Sequence, residues 1–592
     1  MLAVLSHRGL DGSDSTTLPA AILGHQHFWT TPEEFGERQP LINSQLGLYL
    51  VFDGRLDNRE DLLQALSHSH GLDPQISDAA LLLSAYEAWG TECFRRLLGP
   101  FACVLFDEKK RRMICGRDPL GERPLFYFLT PHLFVAASEE SAILAHPSVP
   151  QRVNEGRVAA YFAVDWSTED ATYFEDIQEL SPAHYMMIEE GCVRSARYWD
   201  LEPGRRIRYR TDDEYGEHFR MLLAQAVSCR LRAPTAPAVM MSGGLDSSSV
   251  AALAAEELAA VDGGRLQTIS YVFDELASCD ERGFMEAMHA KYHTDVVQIR
   301  GDDCWPLSNL DRWPYNPSMP NDNPYRPLKE VVYSSAGSRG HRTLLTGVFG
   351  DHMYSGTQHW LKDLVLDGWL RLAFLESRSQ LRHVGPWYLI RQYFVGVIPA
   401  LEVIRRRRLR PKPDWLTEPA KGLLLDASRS HTAARTGYRP DQCESLLGLR
   451  AAFSSSRETF HASRLGIDLR HPYRDRRLIE FMLSIPAHQL YRGGLYKHVL
   501  REGMKGVLPE RIRTRRYPTS LTPLFVRGVA EKGKTIVDEL LNGTDKAWSR
   551  YVRADWLLAT KPGARRRPIE ELVLWQCICF EIWQMKHKGL SL

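Results

Sequence analysis

The residues with the clearest chemical potential in this 592-residue chain form one segment, Ser242-Gly243-Gly244-Leu245-Asp246-Ser247-Ser248-Ser249. It follows an apolar run at 238–241 and precedes an alanine- and leucine-rich run at 250–258. A buried strand, a glycine turn and a helix start in this order direct backbone N–H groups at one point, where they can bind phosphate. The glycines allow close approach, the serine hydroxyls can contact phosphate oxygens, and Asp246 can hold Mg²⁺.

This segment differs from the Walker A pattern, because GxxxxGK[ST] is absent from it. Its SGGxDS pattern instead resembles the pyrophosphate loop of enzymes that cleave ATP between the α and β phosphates and form an acyl-adenylate. The resemblance implies ATP and Mg²⁺ as cofactors, and it assigns ATP binding to Ser242, Gly243, Gly244, Asp246 and Ser247. The alternative is a surface turn rich in serine and glycine, which the strand–turn–helix order disfavours.

The composition excludes several classes of protein. Lys and Arg number 74 against 73 for Asp and Glu, so a net charge of +1 gives no reason to expect nucleic acid or a membrane as partner. The ten cysteines lack the spacing of a zinc site and indicate reduced thiols. Neither a secretory signal nor an apolar run of about 18 residues is found, and we therefore predict a cytoplasmic enzyme.

The chain divides into two regions of different pattern. Residues 1–200 are β-rich and include two predicted hairpins, at 101–118 and 184–198. Residues 201–211 are polar and breaker-rich and form a predicted linker. From 212 to 592, long helices alternate with short apolar strands at 238–241, 268–273 and 343–346. This alternation predicts an α/β domain with a doubly wound parallel sheet and ligands at the carboxyl ends of its strands.

Residues 357–450 interrupt this alternation and form a predicted helical and basic insertion. The run from Arg405 to Pro413 is strongly basic and ends in two prolines. It is interpreted as a solvated helix end or, alternatively, as a docking surface for an acidic segment of a peptide substrate or partner.

Several further motifs resemble the asparagine synthetase superfamily over nearly the whole chain. They lie at 7–13, 53–58, 99–102, 116–121 and 137–139 in the first region and at 346–352 and 470–475 in the second. The resemblance implies an N-terminal Ntn-hydrolase-like, class II glutamine amidotransferase-like αββα sandwich. It implies that the second region is an adenine-nucleotide alpha hydrolase-like (PP-loop) domain with a parallel sheet.

The first region departs from the glutaminase pattern of that superfamily. The family uses a cysteine directly after the initiating methionine, whereas Leu2 stands there in this chain and the first cysteine is Cys93. The glutamine-binding Asn and Glu correspond to Asp53 and Arg55, and His27 stands where an arginine is expected. A start codon further upstream would account for the missing cysteine, but it would not account for Arg55, whose positive charge would repel the substrate ammonium. We therefore predict a domain that retains the fold without glutaminase chemistry.

The resemblance also assigns residues around the loop. Asp246 and Asp351 would carry the metal from two separate strand ends, although either could instead be a helix N-cap. Gly347 would approach the ribose and adenine, and the backbone near Val272 would line the base.

Proton transfer and charge stabilisation are less clearly assigned. Val348 stands where the family has a catalytic Glu, or a Tyr in its lactam-forming branch, and it cannot transfer a proton. His352 is the nearest titratable neighbour, with a structural role as the alternative. For the family's transition-state cation we choose Arg516, with a surface arginine cluster as the alternative. Lys497 is a second candidate, because it matches the KxxLR pattern together with Arg501.

A synthetase region joined to an inactive glutaminase region resembles β-lactam synthetases and lasso peptide macrolactam (isopeptide) cyclases. Weaker similarities at 30–40, 413–416 and 522–525 favour the cyclases. We predict a ligase that adenylates a side-chain carboxylate of a ribosomal peptide, which its own α-amine then attacks. The implied partners are the lasso precursor core peptide and a leader peptidase or leader-binding protein. The alternatives are asparagine synthetase, dependent on glutamine or ammonia, and a non-catalytic protein that only binds a peptide.

Overall fold

The computed structural model describes residues 1–70, 72–165, 171–202, 204–320, 323–354, 360–381, 385–387, 413–427, 439–447, 449–493, 495–543, 545–559 and 567–589. The basic run that begins at Arg405 and ends at Pro413 lies outside these residues except for its last proline. No helix in the described ranges is long and apolar enough to cross a membrane.

The first region is built on antiparallel sheets. In its described part, a six-stranded sheet has the order Cys192–Arg197, His184–Glu189, Arg112–Arg117, Phe101–Asp107, Leu48–Gly54, Leu41–Asn43. Both predicted hairpins are confirmed, because the strands on either side of each turn pair antiparallel. Two smaller sheets are made of Phe134–Ala137, Phe126–Leu129 and Ile177–Glu179, and of Gly12–Thr17 and Ile22–His27.

The alternation of side chains along these strands explains how the layers stack. Cys103 and Leu105 face one way and pack with the helix residues Leu81 and Leu82. Ala102 on the same strand faces the other way and packs with residues of the three-stranded sheet. Helices Arg59–His70, Asp78–Trp89, Cys93–Arg96, Glu140–Leu144 and Glu155–Phe162 complete this region. Ser77 is the N-cap of the second, since its hydroxyl accepts a hydrogen bond from the Ala80 amide.

The second region contains the predicted parallel sheet. Among the described residues it has five strands in the order Asp295–Arg300, Gln267–Val272, Ala238–Met240, Thr343–Thr346, Asp468–Arg470. All neighbouring pairs are parallel. The strand order reverses between Ala238–Met240 and Thr343–Thr346, and a crevice forms at such a point, beyond the carboxyl ends of the two strands.

Helices surround this sheet and connect the two regions. Those described are Asp212–Leu231, Leu245–Asp262, Arg282–Tyr292, Arg326–Ser338, Trp360–Leu366, Leu370–Gln380, Glu418–Ala427, Pro440–Leu447, Leu449–Ser463, Arg476–Ser484, His498–Gly503, Glu510–Arg513, Thr522–Val526, Arg527–Lys532, Lys534–Leu541, Ala554–Ala559 and Pro568–His587. The last of these packs into the first region, where Gln576 and Tyr161 exchange side chain-to-backbone hydrogen bonds of 2.7 and 3.0 Å.

Candidate active site

The serine- and glycine-rich loop lies at the carboxyl end of Ala238–Met240 and leads into the helix Leu245–Asp262, whose N-cap is Gly244. Gly243 has a φ of 77°, a left-handed conformation that favours glycine. The Ser242 and Ser247 hydroxyls lie 3.1 Å apart and brace the loop. The N-terminus of this helix therefore opens into the crevice and carries the positive end of the helix dipole.

A second loop follows the neighbouring strand Thr343–Thr346 and packs directly on the first. A Cβ atom at Gly347 would lie closer than 3.0 Å to the backbone of Ser247, and one at Gly350 would overlap the Asp246 side chain. Only glycine permits this approach of the two loops. The second loop continues into the short helix Gly350–Tyr354, which carries Asp351. The two predicted metal ligands are thus brought together.

Lys497 joins the two carboxylates. Its Nζ lies 2.5 Å from Asp246 Oδ2 and 2.6 Å from Asp351 Oδ1. Burial alone lowers the pKa of Lys497, but the two carboxylates reverse this effect and hold the pKa above its usual value, so the ammonium stays charged. Lys497 and Phe349 also have left-handed φ values of 64° and 73°, which are costly for residues with side chains and cluster at functional sites.

The donor set fits a hard divalent cation. Asp246 Oδ1 is buried and has no hydrogen-bond partner among the described residues. The Asp351 side chain, in contrast, is 85% exposed. Carboxylate oxygens are the preferred protein ligands of Mg²⁺, and one buried plus one exposed carboxylate leaves room for phosphate and water as further ligands. Asp246 lies in the first helical turn and is not the N-cap.

The structure brings Arg515, and not the predicted Arg516, to the loop. Arg515 donates to Glu281 Oε1 at 2.6 Å and to the Gly243 carbonyl at 3.4 Å. Its guanidinium carbon also lies 4.2 Å from the centre of the Phe284 ring. Arg516 is exposed. The role of Arg516 stays a prediction, and the sequence could not indicate which of the two arginines faces the loop, because an irregular turn has no periodicity to fix its register.

Arg501 links the two cationic segments around the loop. Its Nε donates to the Tyr496 carbonyl at 2.8 Å, in the hairpin strand Leu495–Tyr496 that precedes Lys497. Its Nη2 donates to the Arg515 carbonyl at 2.7 Å, and its Nη1 donates to the Arg513 carbonyl. Arg501 therefore fixes Lys497 and Arg515 relative to each other.

The remaining predicted residues lie around the same edge of the sheet. Val348 packs against the apolar core. His352 lies next to Asp351, but its Nδ1 is 3.1 Å from the Ser445 carbonyl oxygen and its ring contacts Phe349 edge-on. Val272 ends the strand next to Ala238–Met240, and its carbonyl accepts a hydrogen bond from the Gly301 amide. A role of His352 in proton transfer stays a prediction.

The positions that resemble glutamine-binding residues are occupied by ion pairs. Asp53 accepts a hydrogen bond of 2.7 Å from Arg8 and lies 3.6 Å from Arg123. Arg55 is 1% exposed and bonds Asp57 at 2.7 Å, with Asp468 at 3.8 Å. The structure differs here from the expectation that Arg55 would repel an ammonium ion, because its charge is compensated by buried carboxylates.

A cavity of about 1060 Å³ lies between the large sheet and the two smaller sheets of the first region. Its walls include the strands Ile22–His27 and Phe134–Ala137 and the side chain of Asp53. His25 and His27 line it and bond each other through their Nδ1 atoms at 3.0 Å. Burial lowers the pKa of His25 to about 4, so its ring is neutral at physiological pH.

Comparison with known proteins agrees with this geometry. Residues 218–585 match the family model described as asparagine synthase, and residues 1–199 match the glutamine amidotransferase domain. The chain belongs to the asparagine synthase family. It is therefore an ATP-dependent ligase of the type that forms C–N bonds. The predicted fold class, an amidotransferase-type first domain and a second domain with a parallel sheet, is confirmed.

Similar proteins carry different names. "Asparagine synthetase [glutamine-hydrolyzing] 3" of Bacillus subtilis is 26% identical over 571 residues, which cover 90% of this chain and 86% of that protein. "Amidase chyE" of Penicillium rubens is 24% identical over 395 residues, 64% of this chain and 58% of that protein. Among solved structures, the allosteric regulatory enzyme of purine biosynthesis is 18% identical, covers 52% of this chain and 77% of its own, and has a TM-score of 0.27.

Proposed function

We propose that this asparagine synthase family member uses ATP and Mg²⁺ to adenylate a side-chain carboxylate of a ribosomal peptide. The peptide's α-amine then attacks the acyl-adenylate, displaces AMP by breaking its bond to the carboxyl carbon, and closes an isopeptide (macrolactam) ring, as in lasso peptide cyclases. The observation that carries the adenylation step is the contact of Lys497 with both Asp246 and Asp351 beside a phosphate-binding loop.

The residues of the site would have separate roles in adenylation. The backbone of the loop and the hydroxyls of Ser242 and Ser247 would hold the phosphates. Mg²⁺ bound to Asp246 and Asp351 would neutralise the charge of the departing pyrophosphate. Lys497 and Arg515 would place two positive charges where negative charge develops on the phosphates. The shielded position of Lys497, whose side chain is 13% exposed, strengthens this electrostatic effect.

The first domain favours a nucleophile that arrives with the substrate. Asp53 and Arg55 are held in ion pairs with Arg8, Asp57 and Asp468, so neither is free to bind a glutamine. Without glutamine recognition no ammonia is released inside the protein. An amine on the activated substrate itself is the simplest replacement. Since Val348 cannot accept a proton, we assign the proton of the attacking amine to solvent or to the substrate.

Asparagine synthesis is the second candidate function. It is favoured by the Bacillus subtilis relative, which aligns with 90% of this chain under the name asparagine synthetase. In that case the same loop and lysine would activate aspartate, with ammonia as the nucleophile.

One experiment separates these functions. The full chain is incubated with ATP and Mg²⁺ and with aspartate plus glutamine, aspartate plus ammonia, or a leaderless core peptide. AMP, pyrophosphate and product mass are then measured. Peptide-dependent AMP with loss of one water from the peptide supports the cyclase, whereas asparagine refutes it. A parallel arm adds the leader peptidase and the leader-binding protein, which we propose as partners.

Asp246→Asn tests the adenylation site within the same assay. We expect AMP formation to fall at least about 100-fold, because the variant removes a negatively charged ligand of the Mg²⁺ that would neutralise the departing pyrophosphate. The matched control is Asp303→Asn, at a side chain that is 73% exposed. Turnover by Asp246→Asn at the rate of the control would contradict the assignment.

A further inference from the structure

Tyr354 is the last residue of the short helix Gly350–Tyr354. It carries a buried polar atom to which the proposed adenylation assigns no role. The residue is 4% exposed, and its hydroxyl has no hydrogen-bond partner among the described residues. Burying a hydroxyl without a partner costs free energy, which calls for an explanation in terms of a ligand, an ion or water.

The position of Tyr354 points to a ligand. Lys497 Nζ lies 5.7 Å from the centre of its ring, within the range of a cation–π contact. Burial and the negative charges of Asp246 and Asp351 raise the pKa of its hydroxyl, whereas the charge of Arg501 lowers it. Asp246 Oδ1, a second buried atom without a partner in the described part of the chain, belongs to the same group of side chains. Lys497 contacts both side chains, so the two unsatisfied atoms belong to residues of one cluster at the proposed adenylation site.

The two atoms have complementary chemistry. Asp246 Oδ1 can only accept or ligate, which suits a cation, whereas a phenol can donate a hydrogen bond to an anion. A magnesium-bound polyphosphate presents both partners at once, because its metal ion and its oxygens are adjacent. A peptide carboxylate alone would satisfy the phenol and leave the buried carboxylate oxygen without a partner.

We propose that the Tyr354 hydroxyl is a polyphosphate-binding group that donates a hydrogen bond to a phosphate oxygen of ATP and of the pyrophosphate released from it. This inference rests on the proposed adenylation at this site. It adds a residue that the motifs of the chain did not indicate, because Tyr354 lies three positions after Asp351, beyond the motif at 346–352.

Tyr354→Phe removes only the hydroxyl and is the direct test. Titration calorimetry with MgATP, and separately with magnesium pyrophosphate, should give a Kd about 10- to 100-fold higher than for the unchanged protein, the range expected for a hydrogen bond to a charged group. In the free protein, thermal unfolding should occur at the same temperature or slightly higher, because an unsatisfied buried group has been removed.

Tyr173→Phe is a matched control. Tyr173 is 2% exposed and its hydroxyl also has no hydrogen-bond partner in the described ranges, but it lies in the first domain, where its ring packs near Trp583. Its removal should leave both Kd values unchanged.

Each outcome decides one point. If the unchanged protein fails to bind MgATP, the adenylation proposal falls, and the role of Tyr354 falls with it. If the unchanged protein binds but Tyr354→Phe binds equally well, only the role of Tyr354 is overturned. A Tyr354→Phe protein that unfolds at a markedly lower temperature without ligand, yet keeps its Kd, would make Tyr354 a purely structural residue.

Discussion

Replacement of Lys497 tests the proposed site most directly, because this residue contacts both predicted metal ligands. Lys497→Met keeps most of the length and apolar character of the side chain and removes its charge. It thereby breaks two ion pairs of Nζ, one with Asp246 at 2.5 Å and one with Asp351 at 2.6 Å. The variant should therefore affect both the stability of the free protein and the rate of adenylation.

The two ion pairs differ in their expected contributions. Asp351 is 85% exposed, and ion pairs at the surface contribute about 0–1 kcal/mol. Asp246 and Lys497 are each 13% exposed, and removal of one partner from a buried pair costs about 3–5 kcal/mol. We therefore expect Lys497→Met to lower the free energy of unfolding by about 3 kcal/mol, nearly all of it through Asp246.

A double variant isolates the contribution of Asp246. Asp246→Asn combined with Lys497→Met leaves no uncompensated buried charge in this pair, so most of the stability lost in the single variant should return. Chemical unfolding of the four proteins gives the coupling energy, which we expect to be about 2 kcal/mol. The free energy of unfolding of Lys497→Arg should lie between those of Lys497→Met and the unchanged protein, because a planar guanidinium is too wide to replace an ammonium between two carboxylates.

The catalytic effect is measured separately with MgATP and whichever substrate supports AMP formation. Loss of a preorganised charge in a shielded site lowers kcat by about 10²- to 10³-fold. The reasoning is refuted if Lys497→Met unfolds like the unchanged protein and forms AMP within about threefold of its rate. Loss of stability with an unchanged rate would reduce Lys497 to a structural counter-ion.

Two further predictions concern the close approach of the loops and a buried acid. Gly347→Ala should raise the Kd for MgATP more than about 10-fold, since its Cβ would displace the Ser247 backbone. Gly264→Ala is the control and should leave the Kd unchanged, because a Cβ at this exposed site would have its nearest atom 3.9 Å away. Equal Kd values for the two variants would show that the loops can separate freely. Burial raises the pKa of Glu140 from 4.5 to about 8, so the folded protein binds a proton that the unfolded chain releases, and stability is lost as the pH rises from 4.5 to 8. Glu140→Gln should flatten the fall of the unfolding temperature between pH 6 and 8, and a parallel fall in both proteins would contradict this.

Much of the fold could be predicted because local pattern and packing agree. The hairpin strands Phe101–Asp107 and Arg112–Arg117 alternate between two buried faces, and the turn between them is polar. The strand Asp468–Arg470 could not be predicted in the same way. It has only three residues, two of which are charged, yet Asp468 is 4% and Arg470 1% exposed. Their burial depends on mutual pairing at 2.8 Å and on distant partners, which periodicity cannot reveal.

The site was predictable to the extent that the sheet itself positions it. Asp246 and Asp351 follow two strands that end at the same edge, so their proximity follows from topology. Lys497 follows a separate hairpin near residue 495, and although it matches the KxxLR pattern with Arg501, that pattern does not show that its side chain reaches the two carboxylates. Which cations reach the loop depends on the hydrogen bonds of Arg501, which connect segments brought together only by folding.

These hydrogen bonds have a counterpart between the two domains. Arg123 of the first domain bonds Asp468 at 2.6 Å, and Arg55 lies 3.8 Å from the same carboxylate. Asp468 begins the strand that pairs with Thr343–Thr346. The strand Thr343–Thr346 leads directly into the loop that carries Asp351. Arg55 and Arg123 of the first domain thus hold an edge strand of the parallel sheet. Because removing them would leave Asp468 buried with fewer partners, the first domain stabilises the active site even if it performs no chemistry of its own.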